Sequence, residues 1–200
     1  PGHHATYQQA MGFCLLNNVA IAAKYALSRY DLGRILIIDF DVHHGNGTQD
    51  IFYNDPQVLY VSTHQYPFYP GTGGIDEVGT GEGQGTTINI PLPAGCGDSE
   101  YEQVFKQIIV PAARRFQPRL ILVSAGYDVS IVFYHQQRVS QVAELLQSVD
   151  EPKVVARVQP DGGFVEHVQC CPARFLAELI RKFDALRLAA RQRMAALAEG

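Results

Sequence analysis

The stretch Ile35-Leu36-Ile37-Ile38-Asp39-Phe40-Asp41-Val42-His43-His44-Gly45-Asn46-Gly47 constrains the fold more than any other. An apolar run ends abruptly in two carboxylates, two imidazoles and two glycines. Short Ile- and Leu-rich runs closed by turn residues read as strands buried on both faces, as in a parallel sheet. Alternation along such a strand sends Asp39, Asp41 and His43 to one side and Phe40, Val42 and His44 to the other. Three ligand-type groups on one face of a buried strand end are costly unless paired or metal-bound. The carboxyl ends of strands are also where open α/β sheets place their ligands. A buried ion-pair network with satisfied histidines is the plainer alternative, and a single Asp–His pair would favour it. The Asp-x-Asp-x-His-His-Gly-x-Gly spacing favours a metal site instead.

The theme recurs along the chain. Residues 58–64 form a second buried-strand candidate, and Leu120-Ile121-Leu122-Val123-Ser124-Ala125-Gly126-Tyr127-Asp128 is a third that finishes on a carboxylate. Residues 86–92 alternate enough to be a further strand. Between them the pattern predicts a helix over 12–30, with Leu15, Leu16, Val19, Ala23 and Leu27 on one stripe, and a short helix over 48–53. Ser99-Glu100-Tyr101-Glu102 has capping-box spacing and opens a helix that carries Val104, Phe105, Ile108 and Ile109 inward. Pro111 is expected to kink that helix or end its first half. Strands alternating with helices imply βαβ units and a parallel sheet. Asp128 is then expected on the same sheet edge as Asp41 and His43, leaving room for water at a metal. Residues 65–85 form a loop long enough to be functional. Its Tyr66, Phe68 and Tyr69 could wall an apolar slot or simply pack the loop down, and the residues alone leave both open.

Composition sets limits. Two hundred residues with 46% hydrophobic content suit one domain with a sizeable core. A formal net charge of -4 argues against a strongly basic surface, so direct nucleic-acid binding is not expected. No apolar run is long enough to span a membrane, and no signal-like segment opens the sequence. Cys14, Cys96, Cys170 and Cys171 form no CxxC pair, which makes a reducing cytoplasm the expected location. The first residue is Pro1 rather than Met, so a fragment or partial reading of a longer protein is expected.

Several motifs occur in an order that resembles one family. Pro1-Gly2-His3-His4, Gly12-Phe13-Cys14, the Asp39–Gln49 stretch, Pro70-Gly71-Thr72-Gly73 and Ser124-Ala125-Gly126-Tyr127-Asp128 are similar to those of histone deacetylases. The likeness is to class II enzymes and bacterial deacetylase-like amidohydrolases, and it runs from Pro1 to Asp128. It implies a three-layer α/β fold of the arginase/deacetylase type with a mainly parallel sheet, incomplete in this chain. It implies a partial catalytic core over 1–128 and a divergent tail over 129–200. Zinc would be held by Asp41, His43 and Asp128, with His3 backed by Asp39 and His4 backed by Asn46 as catalytic pairs. The resemblance thus rescues His3 and His4, which by themselves read as an unstructured tail. Gly12, Phe13, Phe68 and Tyr69 would line an acyl-lysine tunnel, with Phe13 facing Tyr69. Asp39, Asp41, His43, Ser62 and Thr63 would form a buried monovalent-cation site, for which K+ is the candidate. Asn46 in place of a carboxylate should leave His4 harder to protonate than His3, which suits His4 as the base.

After Asp128 the resemblance weakens. The family's late Gly-Gly-Tyr motif, whose tyrosine supports the oxyanion, has its nearest echo in Asp161-Gly162-Gly163-Phe164, without the hydroxyl. Residues from Pro172 onward read as a basic amphipathic helix packed on its own domain or presented to a partner, and a frame change or fusion after Asp128 is a third reading. His135, His167, Cys170 and Cys171 match no zinc spacing. Three functions are compatible with these residues. The first is a zinc-dependent deacetylase acting on acetyl-lysine proteins or an acetylated polyamine. The second is an impaired remnant that binds metal and acylated ligands without turnover. The third is a two-metal ureohydrolase on the related fold, which the His-His-Gly-Asn-Gly run disfavours. The oligomeric state stays open, a homo-oligomer included.

Overall fold

Every residue from Ile35 to Asp39 is buried, and these five form β1, the middle strand of the sheet. In the computed structural model, residues 2–125 and the backbone of Val154–Val158 are described. Asp128 lies outside the described residues, as do the expectations attached to 129–153 and to 159–200: Phe164, the His135, His167, Cys170 and Cys171 group, and the helix from Pro172.

β1 pairs in parallel with β2 (Val58–Gln65) on one side and β4 (Leu120–Ser124) on the other. β3 (Thr87–Leu92) and β5 (Val154–Val158) complete a five-stranded parallel sheet in the order β3-β2-β1-β4-β5. Alternation divides the core in two. Ile35 and Ile37 face α1 (Asn18–Tyr30) and α2 (Asn46–Phe52), while Leu36, Ile38 and Phe40 face α3 (Asp98–Val104) and α4 (Val110–Phe116). Helices on both faces of a parallel sheet give the three layers expected from the sequence. Ala20, Ala22, Ala23 and Ala26 are all buried along α1, and their small side chains let that helix lie close to the strands. The parallel register sets Asn89, Ser62, Asp39 and Ser124 side by side across the sheet, level with the carboxyl ends of β1 and β4, and all four are buried.

Local expectations fail where a cap or a turn outranks periodicity. The first helix begins at Asn18, not near residue 12, because Asn17 caps it by accepting from the Ala20 N–H at 3.0 Å. Leu15 and Leu16 therefore lie in the preceding loop and are exposed. The third helix starts one position earlier than Ser99: the Glu100 carboxylate reaches back to the Gly97 N–H at 2.7 Å. Pro111 does not end the helical path. A π turn over Phe105–Ile109, with the Val110 N–H reaching back to the Phe105 carbonyl, precedes it and joins α3 to α4. Helices accommodate a local insertion in this way, and Ile108 is turned outward by it.

Asn17 also ties the amino-terminal segment down. Its amide donates to the Ala5 carbonyl at 3.1 Å and to the Thr48 hydroxyl at 3.1 Å. Asn17→Ala removes the cap and leaves a buried carbonyl short of a donor, so the expected loss is about 1–3 kcal/mol. Urea denaturation of the variant checks this; an unchanged midpoint would leave the segment held by other contacts.

Candidate active site and metal centre

Strand alternation places Asp39 and Phe40 but not the residues after them. β1 ends at Asp39 and the chain bends through residues 41–43. The Asp41 carboxylate turns back onto His43, its Oδ1 accepting from the His43 backbone N–H at 2.8 Å and lying 3.1 Å from His43 Nδ1. Two ligands of one tetrahedral zinc ion, each at about 2.0–2.2 Å, stand roughly 3.3–3.6 Å apart. One carboxylate oxygen and one imidazole nitrogen are a donor set that suits zinc, and their 3.1 Å separation, a hydrogen bond in this structure, falls a few tenths of an ångström short of that spacing. Asp128, the expected third ligand, is outside the described residues, and among the described residues no group of three ligating side chains converges.

His3 and His4 are carried to this point by backbone. The His3 carbonyl accepts from the Gly47 and Thr48 N–H groups at 2.9 and 3.1 Å, at the start of α2. A Cβ on Gly47 would lie 2.2 Å from the Ala5 carbonyl oxygen, so only glycine allows that approach. His3 Nδ1 is 2.8 Å from Asp39 Oδ2, and His4 Nδ1 is 2.8 Å from Asn46 Oδ1. A carboxylate can only accept, so His3 donates from Nδ1. Asn46 Nδ2 donates to the Met11 sulfur at 3.4 Å, which leaves its oxygen for the His4 N–H. Both rings thus keep an Nε2 lone pair free when neutral. His3 Nε2 lies 3.8 Å from Asp41 Oδ1, and the His3 and His4 ring centroids are 4.2 Å apart.

The same partners separate the two rings electrostatically. Burial works to lower the His3 pKa, but the charge and hydrogen bond of Asp39, with Asp41 behind them, leave it raised. Burial and the neighbouring His3 push His4 down to about 4, which the Asn46 amide only partly offsets. For Asp41, burial opposes ionisation, yet the His43 hydrogen bonds and the nearby His3 hold its carboxyl well below the usual range.

Phe68 stacks on His43 at 5.1 Å with the planes 12° apart, and Tyr69 meets the His4 ring edge-on at 5.0 Å. Both are partly exposed, so the loop presents aromatic surface beside the imidazoles. Gly12 lies against His4, where a Cβ would come within 2.5 Å of the ring. Phe13, next along, has φ 60 and is fully exposed at 111%. Its side chain stands in solvent in this conformation and is not packed as a wall. Ser62 and Thr63 are buried at the end of β2; the Ser62 hydroxyl meets His64 Nδ1 at 2.9 Å, and the Thr63 hydroxyl reaches the Asp39 carbonyl at 3.5 Å. The Ser124 hydroxyl, level with Asp39 on β4, is buried without a hydrogen-bond partner among the described residues.

Residues 1–155 match the histone deacetylase domain family. The chain belongs to the histone deacetylase family. It is 58% identical over 128 residues to histone deacetylase 10, chloroplastic, of rice (Oryza sativa subsp. japonica), covering 64% of this chain and 29% of that protein. A probable deacetylase of Archaeoglobus fulgidus is 55% identical over 128 residues, covering 64% of this chain and 35% of its own length. The crystal structure of the HDA15 HD domain superposes with a TM-score of 0.73 at 38% identity, over 82% of this chain and 50% of that one. The chain thus spans about a third of the length of these two curated relatives.

Within this histone deacetylase fold, several site-building residues escape sequence reading. Tyr60 is buried on β2 with its hydroxyl 3.2 Å from Asp39 Oδ2 and 3.1 Å from the Gly45 carbonyl. Burial and the Asp39 charge raise its pKa well above the ordinary tyrosine value, so it stays a hydrogen-bond donor. His44 does not follow the strand to the far face. Its ring enters a polar cluster with Thr72, Gln49 and His64. Glu77 anchors the 65–85 loop by accepting from the Gly73 and Gly74 N–H groups at 3.0 and 2.9 Å and from the Gln49 amide. Burial would raise the Glu77 pKa, but these three donors lower it overall. Its contribution to stability is therefore present above the ordinary glutamate pKa and lost as pH falls through the lowered one. The Gly73-Gly74 pair was the available sequence signal for the turn, and Gln49 closes the Asp39–Gln49 motif without its contacts being marked; nothing local marks Tyr60 or Glu77.

Proposed function

We propose that the protein is a zinc-dependent deacetylase that hydrolyses the amide of acetyl-lysine in proteins or of an acetylated polyamine. The observation that carries this reading is the paired arrangement of His3–Asp39 and His4–Asn46, each at 2.8 Å, beside Asp41 and His43. Asp41 and His43, with Asp128, which lies four residues beyond β4 in the sequence, would hold the ion. The chemistry such an ion supplies when bound is polarisation of the amide carbonyl and a pKa near 7 for water.

The chain's own residues then handle the proton. His4, neutral near pH 7 and fixed through Nδ1, presents the Nε2 lone pair that accepts a proton from an attacking water. His3, whose Nδ1 proton is held by Asp39, carries positive charge more readily and is suited to return a proton to the leaving amine. Phe68 and Tyr69 offer apolar surface to a lysine stem, whose methylenes bind by burial. A second cation, K+, is proposed at Asp39, Asp41, His43, Ser62 and Thr63, where hydroxyl and backbone oxygens make a hard donor set.

The test is release of acetate from an acetyl-lysine peptide by metal-stripped protein reloaded with zinc. Turnover that returns with about one zinc per chain supports the reading. Zinc bound at that ratio without turnover would favour a ligand-binding remnant, and two manganese ions per chain would favour the ureohydrolase.

A further inference from the structure

A closed circuit of hydrogen bonds lies behind the site, and nothing in the proton chemistry uses it. Glu77 Oε1 accepts from the Gly73 and Gly74 N–H groups, and Oε2 accepts from the Gln49 amide nitrogen. Gln49 cannot turn its amide over. Its oxygen is already met by His44 Nε2 at 3.1 Å and by Asn89 Nδ2 at 2.7 Å, the second of which can only donate. The outward amide N–H groups therefore need an acceptor, and Glu77 is that acceptor. The other nitrogen of His44 is 2.8 Å from the Thr72 hydroxyl. The circuit thus begins and ends in Thr72-Gly73-Gly74 and passes through the residue adjoining His43.

A second bond fixes the same turn: His64 Nε2 donates to the Gly73 carbonyl at 3.0 Å. Gly73 has φ 92, and a Cβ there would meet His64 Nε2 at 2.5 Å, so the turn is seated directly on the imidazoles. Just upstream, the Gly71 N–H donates to the Phe68 carbonyl at 2.8 Å and closes the turn that bears Phe68 and Tyr69. Those two rings stand over His43 and His4, while Ile75, Phe68 and Tyr69 all remain exposed. Apolar burial does little to locate this loop. Hydrogen bonds to a carboxylate, about twice as strong as neutral ones, locate it instead.

We propose that Glu77 is a positioning residue for acyl-lysine binding: through Gln49 and the Gly73 and Gly74 amides it sets where Phe68 and Tyr69 stand over His43 and His4. The ligand's identity rests on the deacetylase reading; the positioning does not. Glu77 touches no reacting atom and acts only through the loop.

The experiment compares zinc-loaded protein with Glu77→Ala and Glu77→Gln. The probe is a peptide bearing the ketone isostere of acetyl-lysine, which cannot be hydrolysed. Its dissociation constant, zinc content, melting temperature and amide exchange at Gly73 and Gly74 are measured. Glu77→Ala should weaken the probe about tenfold, at the scale of one lost charged hydrogen bond, with zinc content unchanged and both glycine amides exchanging faster. Glu77→Gln keeps an acceptor for the glycines but sets its own amide against that of Gln49, so about a threefold loss is expected. Faster exchange with an unchanged dissociation constant would overturn the proposal. So would joint loss of zinc, probe binding and melting temperature, which marks a purely structural role. If Glu77→Ala does not fold, Glu77→Gln decides, and unaltered binding there overturns the proposal. Wild-type protein that binds the probe through Glu77 yet hydrolyses no acetyl-lysine would remove the deacetylase reading and leave the positioning intact. Hydrolysis with binding indifferent to Glu77 would do the reverse.

Discussion

Replacing His4 with Ala is expected to lower turnover of an acetyl-lysine peptide by about 10²–10⁴-fold, the usual share of a positioned proton-transfer group. The Asn46 oxygen holds the His4 Nδ1 proton at 2.8 Å, so the ring has one orientation and one free lone pair. Burial and His3 keep that ring neutral near pH 7, the form that can accept a proton. Loss of the imidazole leaves the Asp41 and His43 pair in place, so zinc content should stay near that of the parent. Space is the rival explanation, because His4 is buried beneath Tyr69. His4→Gln refills much of that space without a group that titrates near neutrality, and it should be as slow as His4→Ala. Steady-state kinetics on both variants decides. Recovery of the parent rate by Gln would make His4 a packing residue.

The second large effect is expected from a single methyl group. Gly45 has φ -79, a conformation open to any residue, so its identity is a matter of space. A Cβ there would sit 2.4 Å from the Tyr60 hydroxyl, 2.5 Å from Asp39 Oδ2 and 2.9 Å from His3 Nδ1. Those three atoms are the centre of the His3–Asp39–Tyr60 cluster, and all three residues are buried. Gly45→Ala must drive them apart or shift α2, which Gly45 caps. Overpacking of this kind costs about 1–3 kcal/mol. Because the displaced atoms orient His3, turnover should fall by at least about tenfold beyond any loss of folded protein, as expected when a supporting group is misplaced. Tyr60→Phe removes the nearest obstructing atom. The double variant should therefore lose less stability than the sum of the single ones. Chemical denaturation and kinetics on the four proteins test this, and strict additivity would mean that the cluster relaxes without strain.

Much of the frame was legible because its causes are local. A run such as Ile35–Ile38 has to be covered on both faces, and period-two alternation already set Asp39 and Phe40 on opposite sides; in the structure Phe40 packs with Leu36 and Ile38, while Ile35 and Ile37 pack on the other face. Alternating strands and helices implied a parallel sheet, and the polar ends of β1 and β2 marked the edge where His3, Asp39, Asp41 and Ser62 gather. Periodicity misled at residues 12–17, where the Asn17 cap outweighs the apolar spacing of Leu15 and Leu16. It misled again beyond Phe40, since alternation holds only while the backbone stays extended, and His44 is placed by Thr72, Gln49 and His64 instead.

The tertiary structure decided which residues meet across long stretches of chain. His3 reaches Asp39 and His4 reaches Asn46 because Gly47 lets the amino-terminal segment lie on the start of α2; the residues alone left that segment a tail. Tyr60 beneath Asp39, and Glu77 joined through Gln49 to the turn at Gly73, depend on strand register and on how closely backbones approach. Sequence spacing reports which side chains share a face of one element. It carries no distance between elements, and hydrogen bonds and glycine clearances are fixed within a few tenths of an ångström by the packing of the sheet, its helices and the loop that crosses them.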